Sequence, residues 1–222
     1  MPSTNSDLPG GLKLLIAGGF GVGKTTLVAA VSEIVPLTTE ATITEASRGV
    51  DDIALTGGKT TTTVALDFGR ISIADEYVLF LFGMPGQERF WFMWDQLCIG
   101  ALGVIVLVDT RRIEDSFEAV DYFERTGIPF LVAVNEFEGA PYAYTAAEVR
   151  DSLQLRAEVP VVMCDARSHT SAVNVLIALV RHLQTADTGH RTDTGDRTDT
   201  DTGRRTVRPA EPRTAVHEGS FI

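Results

Sequence analysis

Eight residues, Gly18-Gly-Phe-Gly-Val-Gly-Lys-Thr25, constrain this chain more than any other part of it. They follow a short apolar run, LKLLIA at 12–17, and lead into a helix-compatible segment from Lys24 to Ile34 that stops near Pro36, which reads as strand, loop, helix. Gly, four residues, Gly-Lys, then Ser or Thr is the pattern of a phosphate-cradling loop. Glycines let main-chain N–H groups wrap the phosphates, and the helix N-terminus adds positive potential. Gly18, Gly19, Phe20, Gly21, Val22, Gly23 and Thr26 are therefore expected around the phosphates, with Lys24 reaching the β and γ groups and the Thr25 hydroxyl on Mg²⁺. A chance turn between strand and helix is the plain alternative, and the strand–loop–helix context speaks against it.

Downstream, residues 37–60 are rich in Thr, Gly and charge without a sustained period, as in a long irregular connection. Residues 61–73 alternate like a strand and 76–82 form another; the short link between them requires an antiparallel pair. VIVLVD (104–109), FLVAVN (130–135) and VPVVMC (159–164) are buried-strand runs, each followed by a helical pattern near 114–126, 145–155 and 170–184. Buried strands alternating with helices call for an α/β three-layer sandwich around a mostly parallel sheet, with ligands at the strands' C-terminal ends. The expected organisation is a flexible N-terminus at 1–11, one domain at 12–184, and a disordered low-complexity tail at 185–222, where DTGHRT, DTGDRT and DTDTGRRT repeat. A solvated spacer and a tethered recognition arm are both open readings of that tail.

At 44% hydrophobic letters, 222 residues suffice for a sizeable core. The net charge is −11, of which the tail, with six Arg against seven acidic residues, carries little. Such an acidic body disfavours nucleic acid but tolerates a single phosphate pocket. Cys98 and Cys164 stand far apart in apolar segments and the four His show no ligand spacing, so neither a disulfide framework nor a thiolate metal site is expected, and a reducing cytoplasm fits best. The N-terminus lacks a signal pattern, the C-terminus lacks a prenylatable Cys, and no apolar stretch reaches membrane-spanning length; membrane contact would come through a partner.

A second loop, Pro85-Gly-Gln-Glu-Arg-Phe90, distinguishes among phosphate-loop proteins. The Gly86 N–H can meet a γ-phosphate, and Gln87 can orient an attacking water. Together, residues 18–25 and 85–90 resemble the nucleotide switch of the Ras-like small GTPases, and in their Pro-Gly-Gln form they resemble most the actinomycete conservon GTPases and the bacterial cell-polarity GTPases. The resemblance spans residues 12–184. It implies a P-loop NTPase of Ras-like architecture, with a six-stranded sheet containing one antiparallel strand, binding GTP or GDP with Mg²⁺.

Alignment on Gly86 puts Gly83 where the Ras-like pattern carries its magnesium-linked Asp. Asp109 is a candidate replacement. The main expectation is that Thr25, a switch Thr, phosphate oxygens and water hold the ion. Counting back four residues from Asp67, as Ras-like strands with Thr-x-x-x-Asp-Phe do, selects Thr63 as that catalytic and metal-linked Thr, with Thr62 its rival and ordinary β-propensity the plain reading. The family's guanine-reading Asn-Lys-x-Asp becomes Asn135-Glu136-Phe137-Glu138. Asn135 can still bond the base, Glu138 can accept from guanine, and Glu136 replaces a Lys that supports the phosphate loop in the family, which weakens nucleotide affinity. Ala166, in Cys-Asp-Ala-Arg, is placed to offer its N–H to the guanine oxygen; adenine presents a donor there.

Phe90, Trp91, Phe92, Met93, Trp94 and Leu97 predict a helix apolar nearly all round, partly packed on its neighbour and partly open to a protein partner. For the conservon relatives the resemblance implies a roadblock-type protein and a sensor-kinase-like protein. The expected function is a switch that hydrolyses GTP slowly, with Gln87, Lys24 and Thr63 catalytic. A nucleotide-holding scaffold with negligible turnover is the alternative, and a small-molecule kinase ranks below both for want of an Arg-rich lid.

Overall fold

The computed structural model describes residues 10–44, 61–73, 76–138 and 143–191. Seven strands form one sheet in the order β2-β3-β4-β1-β5-β6-β7: β1 (Gly10–Ala17), β2 (Leu37–Thr44), β3 (Thr61–Ile73), β4 (Tyr77–Gly83), β5 (Gly103–Val108), β6 (Phe130–Asn135) and β7 (Val161–Cys164). β1 pairs in parallel with β4 and β5, and β6 in parallel with β5 and β7; β3 alone runs against its neighbours. The six expected strands and their single antiparallel member are present, and β2 adds a seventh at the edge, within a segment the sequence suggested was irregular.

β5 and β6 are buried along their whole length, as near-continuous Val, Ile and Leu in a central parallel strand requires. β1 shows why both faces need covering. Leu14 and Ile16 point into a core with α1 (Lys24–Val31) and α5 (His169–Arg191), while Leu15 and Ala17 point into one with α2 (Trp94–Cys98), α3 (Phe117–Thr126) and α4 (Ala146–Ser152). α4 opens on a capping box between Thr145 and Glu148, and α3 ends on Gly127 at φ 71.

Several element bounds differ from expectation. β1 starts at Gly10, inside the stretch expected to be flexible, and α5 continues to Arg191, past residue 184. Residues 192–222, where the remainder of the expected disordered tail falls, lie outside the described residues. The expected aromatic helix at 90–97 is a 3-10 stretch, Glu88–Met93, followed by the single α-turn of α2. Its apolar residues divide: Trp94 is buried against Tyr122 and Phe123, whereas Phe92 is 40% exposed. No described helix is long and apolar enough to cross a membrane.

Candidate functional site

The loop after β1, the start of α1, the C-terminal end of β4 and Asp67 in the middle of antiparallel β3 surround a cavity of about 540 Å³. Phe20, Gly21, Gly23, Lys24, Thr25 and Thr26 line one side, and Gly86 and Gln87 the other. The two loops that the sequence singled out separately thus converge. Gly23, at φ 109, makes the left-handed turn into α1, and a Cβ there would stand 2.7 Å from Asn135 Nδ2. Val22 is not part of the cavity wall, and its side chain is in the core.

The Lys24 ammonium is folded back onto the loop, donating to the carbonyls of Gly18 (2.9 Å) and Gly19 (2.7 Å). Burial pushes its pKa down to about 8, and the Asp67 carboxylate partly opposes that shift. Gly86 presses on the same point: a Cβ on it would lie 2.6 Å from Gly18 O and 2.7 Å from Lys24 Nζ. Only a glycine lets the second loop approach the phosphate loop this closely. Gln87 Oε1 accepts from Arg89 Nε at 3.1 Å, and Arg89 also lines the cavity. Behind the loop, Trp94 Nε1 donates to Pro85 O at 3.1 Å, joining it to the aromatic cluster.

Sequence reading missed Asp67 as a site residue, using it only to count to Thr63. Asp67 lies in the cavity wall and accepts from Thr25 Oγ1 at 2.6 Å. It is the cross-strand register partner of Gly83, and its carboxylate occupies the space a side chain at 83 would take. Thr63 lies within β3, opposite Thr42; its side chain, like that of Thr62, lies outside the described residues. Asp109 is not free for a cation. It is buried, and both its oxygens accept from the Arg111 guanidinium (2.9 and 2.7 Å), which holds its carboxyl below the usual range. Among the described residues no three His, Cys, Asp or Glu cluster as a metal-binding group. Thr25 and Asp67 are two adjacent oxygen donors of the hard type that suits Mg²⁺, which readily completes its shell with phosphate oxygens and water.

Of the expected base-reading residues, Asn135 and Ala166 stand beside Gly23 and are bonded to each other. Asn135, 6% exposed, donates to Val22 O (2.9 Å) and accepts from Ala166 N–H (3.0 Å). The N–H expected to face a guanine oxygen is therefore bonded to Asn135. Glu138 is outermost, paired with Arg167 at 3.3 Å, and Arg167 is also bound by Asp165. Arg111 stacks on Phe137, 3.7 Å from the ring centroid.

Comparison with known proteins agrees with this architecture. An uncharacterised protein of Methanocaldococcus jannaschii is 28% identical over 127 residues, 56% of this chain and 70% of that protein. ADP-ribosylation factor-related protein 1 of Rattus norvegicus is 28% identical over 130 residues, 55% of this chain and 58% of that protein. Among solved structures, the cytosolic domain of the T. maritima FeoB iron transporter in its apo form superposes with a TM-score of 0.57 at 19% identity, covering 78% of this chain and 64% of that one. The FeoB G-domain from Methanococcus jannaschii gives 0.53 at 14% identity over 79% of this chain and 99% of that one. These likenesses establish a small-GTPase-like P-loop fold. Residues 16–186, most of the chain, match a family described as "Conserved hypothetical ATP binding protein", and the chain belongs to that family.

Proposed function

We propose that the chain is a guanine-nucleotide switch that binds GTP, hydrolyses it slowly to GDP and phosphate, and signals to a protein partner through its two loops. The observation that carries this reading is the contact of Gly86 with Gly18 and Lys24 at the cavity floor. A terminal phosphate there would meet the Gly86 N–H and the Lys24 ammonium together, so its loss would release the second loop.

In the reaction, phosphate-loop N–H groups and Lys24 hold the phosphates, and Gln87 orients a water whose oxygen attacks the γ-phosphorus in line as the bond to the GDP oxygen breaks. Gln87 Oε1, which accepts from Arg89 Nε, keeps a second lone pair with which to accept from that water. Thr25 and Asp67, with Thr63 as a further candidate, would hold Mg²⁺, which neutralises charge on the β and γ oxygens when bound. Asn135, Glu138 and Ala166 would face the base once the Asn135–Ala166 bond and the Glu138–Arg167 pair rearrange. The exposed aromatic surface around Phe92 suits a protein partner. By resemblance to the conservon and cell-polarity GTPases, a roadblock-type and a sensor-kinase-like protein are the candidates, at a cytoplasmic site with recruitment to the membrane through them.

A second reading, a nucleotide-holding scaffold without turnover, draws support from the engaged Gln87 carbonyl and the engaged Ala166 N–H. Two measurements test these readings. Competition among GTP, GDP and ATP with and without Mg²⁺ should rank both guanine nucleotides above ATP; an ATP preference overturns the base assignment. Single-turnover phosphate release should slow in Gln87→Leu; equal rates favour the scaffold.

A further inference from the structure

The phosphate loop is gripped from outside by a segment nearly a hundred residues away in the chain. Arg112 Nη2 donates to Phe20 O at 2.9 Å. The guanidinium is held by carboxylates on either side, Asp115 at 3.5 Å and Asp109 at 3.9 Å. Asp109 is buried and anchored to Arg111, so one end of this bracket is fixed in the core. The backbone of the 3-10 stretch Thr110–Ser116 breaks at Arg112 (φ −147, ψ 58), turning it toward the loop. Asp115 packs so closely that a Cβ on Gly19 would lie 2.7 Å from Asp115 Cβ.

We infer that Arg112 is a positioning residue for phosphate binding: it pins the Phe20–Gly21 peptide with the carbonyl outward and thereby aims the Gly21 N–H into the cavity. The physical basis is the planarity of the trans peptide, in which C=O and N–H point in opposite directions. A carbonyl fixed against an outside guanidinium leaves the paired N–H facing inward, where Gly21 lines the cavity. Preorganisation of that amide lowers the ordering cost of nucleotide binding. The inference rests on the phosphate site proposed above, but not on which base is bound.

The test compares nucleotide affinity in full-length wild type, Arg112→Ala, Arg112→Gln and Lys24→Ala, using fluorescent GDP and ATP, alongside melting of the nucleotide-free proteins. Arg112→Ala should weaken the bound nucleotide about tenfold. Arg112→Gln, which keeps a donor to Phe20 O without the charge, should recover part of that loss. Nucleotide-free melting should move little, because the side chain is 47% exposed. Unchanged affinity in Arg112→Ala overturns the inference, as does a loss matched by nucleotide-free destabilisation without rescue by Gln. Unchanged affinity in Lys24→Ala instead overturns the phosphate site itself. Should Arg112→Ala fail to fold, Arg112→Met, which keeps the side-chain length without a donor, decides: wild-type affinity there overturns the inference.

Discussion

Asp67 and Gly83 face each other across one rung of the antiparallel β3–β4 ladder, and the Asp67 carboxylate sits 3.0 Å from the point where a Gly83 side chain would begin. Asp67 also accepts from the Thr25 hydroxyl, so a carboxylate stands on the strand next to the Gly83 position.

This relationship predicts a compensating pair. Asp67→Ala should lower Mg²⁺-dependent nucleotide affinity by about tenfold or more, the scale at which groups around a metal matter. Gly83→Asp alone crowds two carboxylates and should also weaken Mg²⁺-dependent binding. Asp67→Ala/Gly83→Asp should recover much of the loss. Titration of Mg²⁺ against bound GDP reads all three; a double variant no better than either single one would count against an exchange of positions.

The second loop's glycine is a steric requirement. Gly86→Ala places a methyl 2.6 Å from Gly18 O and 2.7 Å from Lys24 Nζ, so the loop must withdraw. The indole of Trp94 bonds Pro85 O and provides a reporter. Wild type should show different Trp fluorescence with GTP and GDP, and Gly86→Ala should show the same signal with both. A retained difference would mean that the signal does not pass through this contact.

The central sheet was legible because VIVLV and FLVAV have no polar letter to hide, which only a twice-covered strand tolerates. β2 was not legible: LTTEATIT has the polarity of a loop, and its strand character comes from pairing with β3. The phosphate loop could be read because its chemistry is contiguous in sequence. Asp67 and Arg112 could not, since they meet Thr25 and Phe20 across 42 and 92 residues, and only sheet register and the break after β5 bring them there. The aromatic run looked like a helix because its composition fits one; a 3-10 stretch that buries Phe90 and leaves Phe92 exposed instead leads into the short α2, which buries Trp94.

Lys24 predicts a pH dependence whose sign differs between folding and binding. Its folded pKa of about 8 lies below the ordinary 10.5, so the unfolded chain binds more protons between those values. Lys24 therefore contributes a penalty to nucleotide-free stability below about pH 8 that is relieved as pH rises through the window. A bound phosphate restores the ammonium, so binding takes up a proton and affinity should fall by up to about tenfold per pH unit above about pH 8. Melts and GDP titrations from about pH 7 to about pH 9.5, with Lys24→Met as control, should show the two opposite slopes, both flattened in the variant. A wild-type affinity that does not vary over this range would exclude the ammonium as the phosphate grip.

Asn135 joins the phosphate loop to the strand end after β7, and its loss should be felt by both. Its amide is buried and doubly bonded, to Val22 O and from Ala166 N–H. Asn135→Ala leaves a buried carbonyl and a buried N–H unpaired, which costs about 3 kcal/mol of stability by the usual penalty for such groups. Asn135→Asp keeps the acceptor for Ala166 N–H but sets a carboxylate oxygen against Val22 O, so it should be no less damaging than Ala despite its closer shape. The distinguishing measurement is denaturant unfolding with and without GDP. If Asn135 serves the base as well as the loop, nucleotide should stabilise wild type by several-fold more in binding terms than it stabilises the Ala variant, beyond the difference between the nucleotide-free proteins. Equal nucleotide-dependent gains would confine Asn135 to holding the two loops together and would leave base recognition to Glu138 and the Ala166 segment.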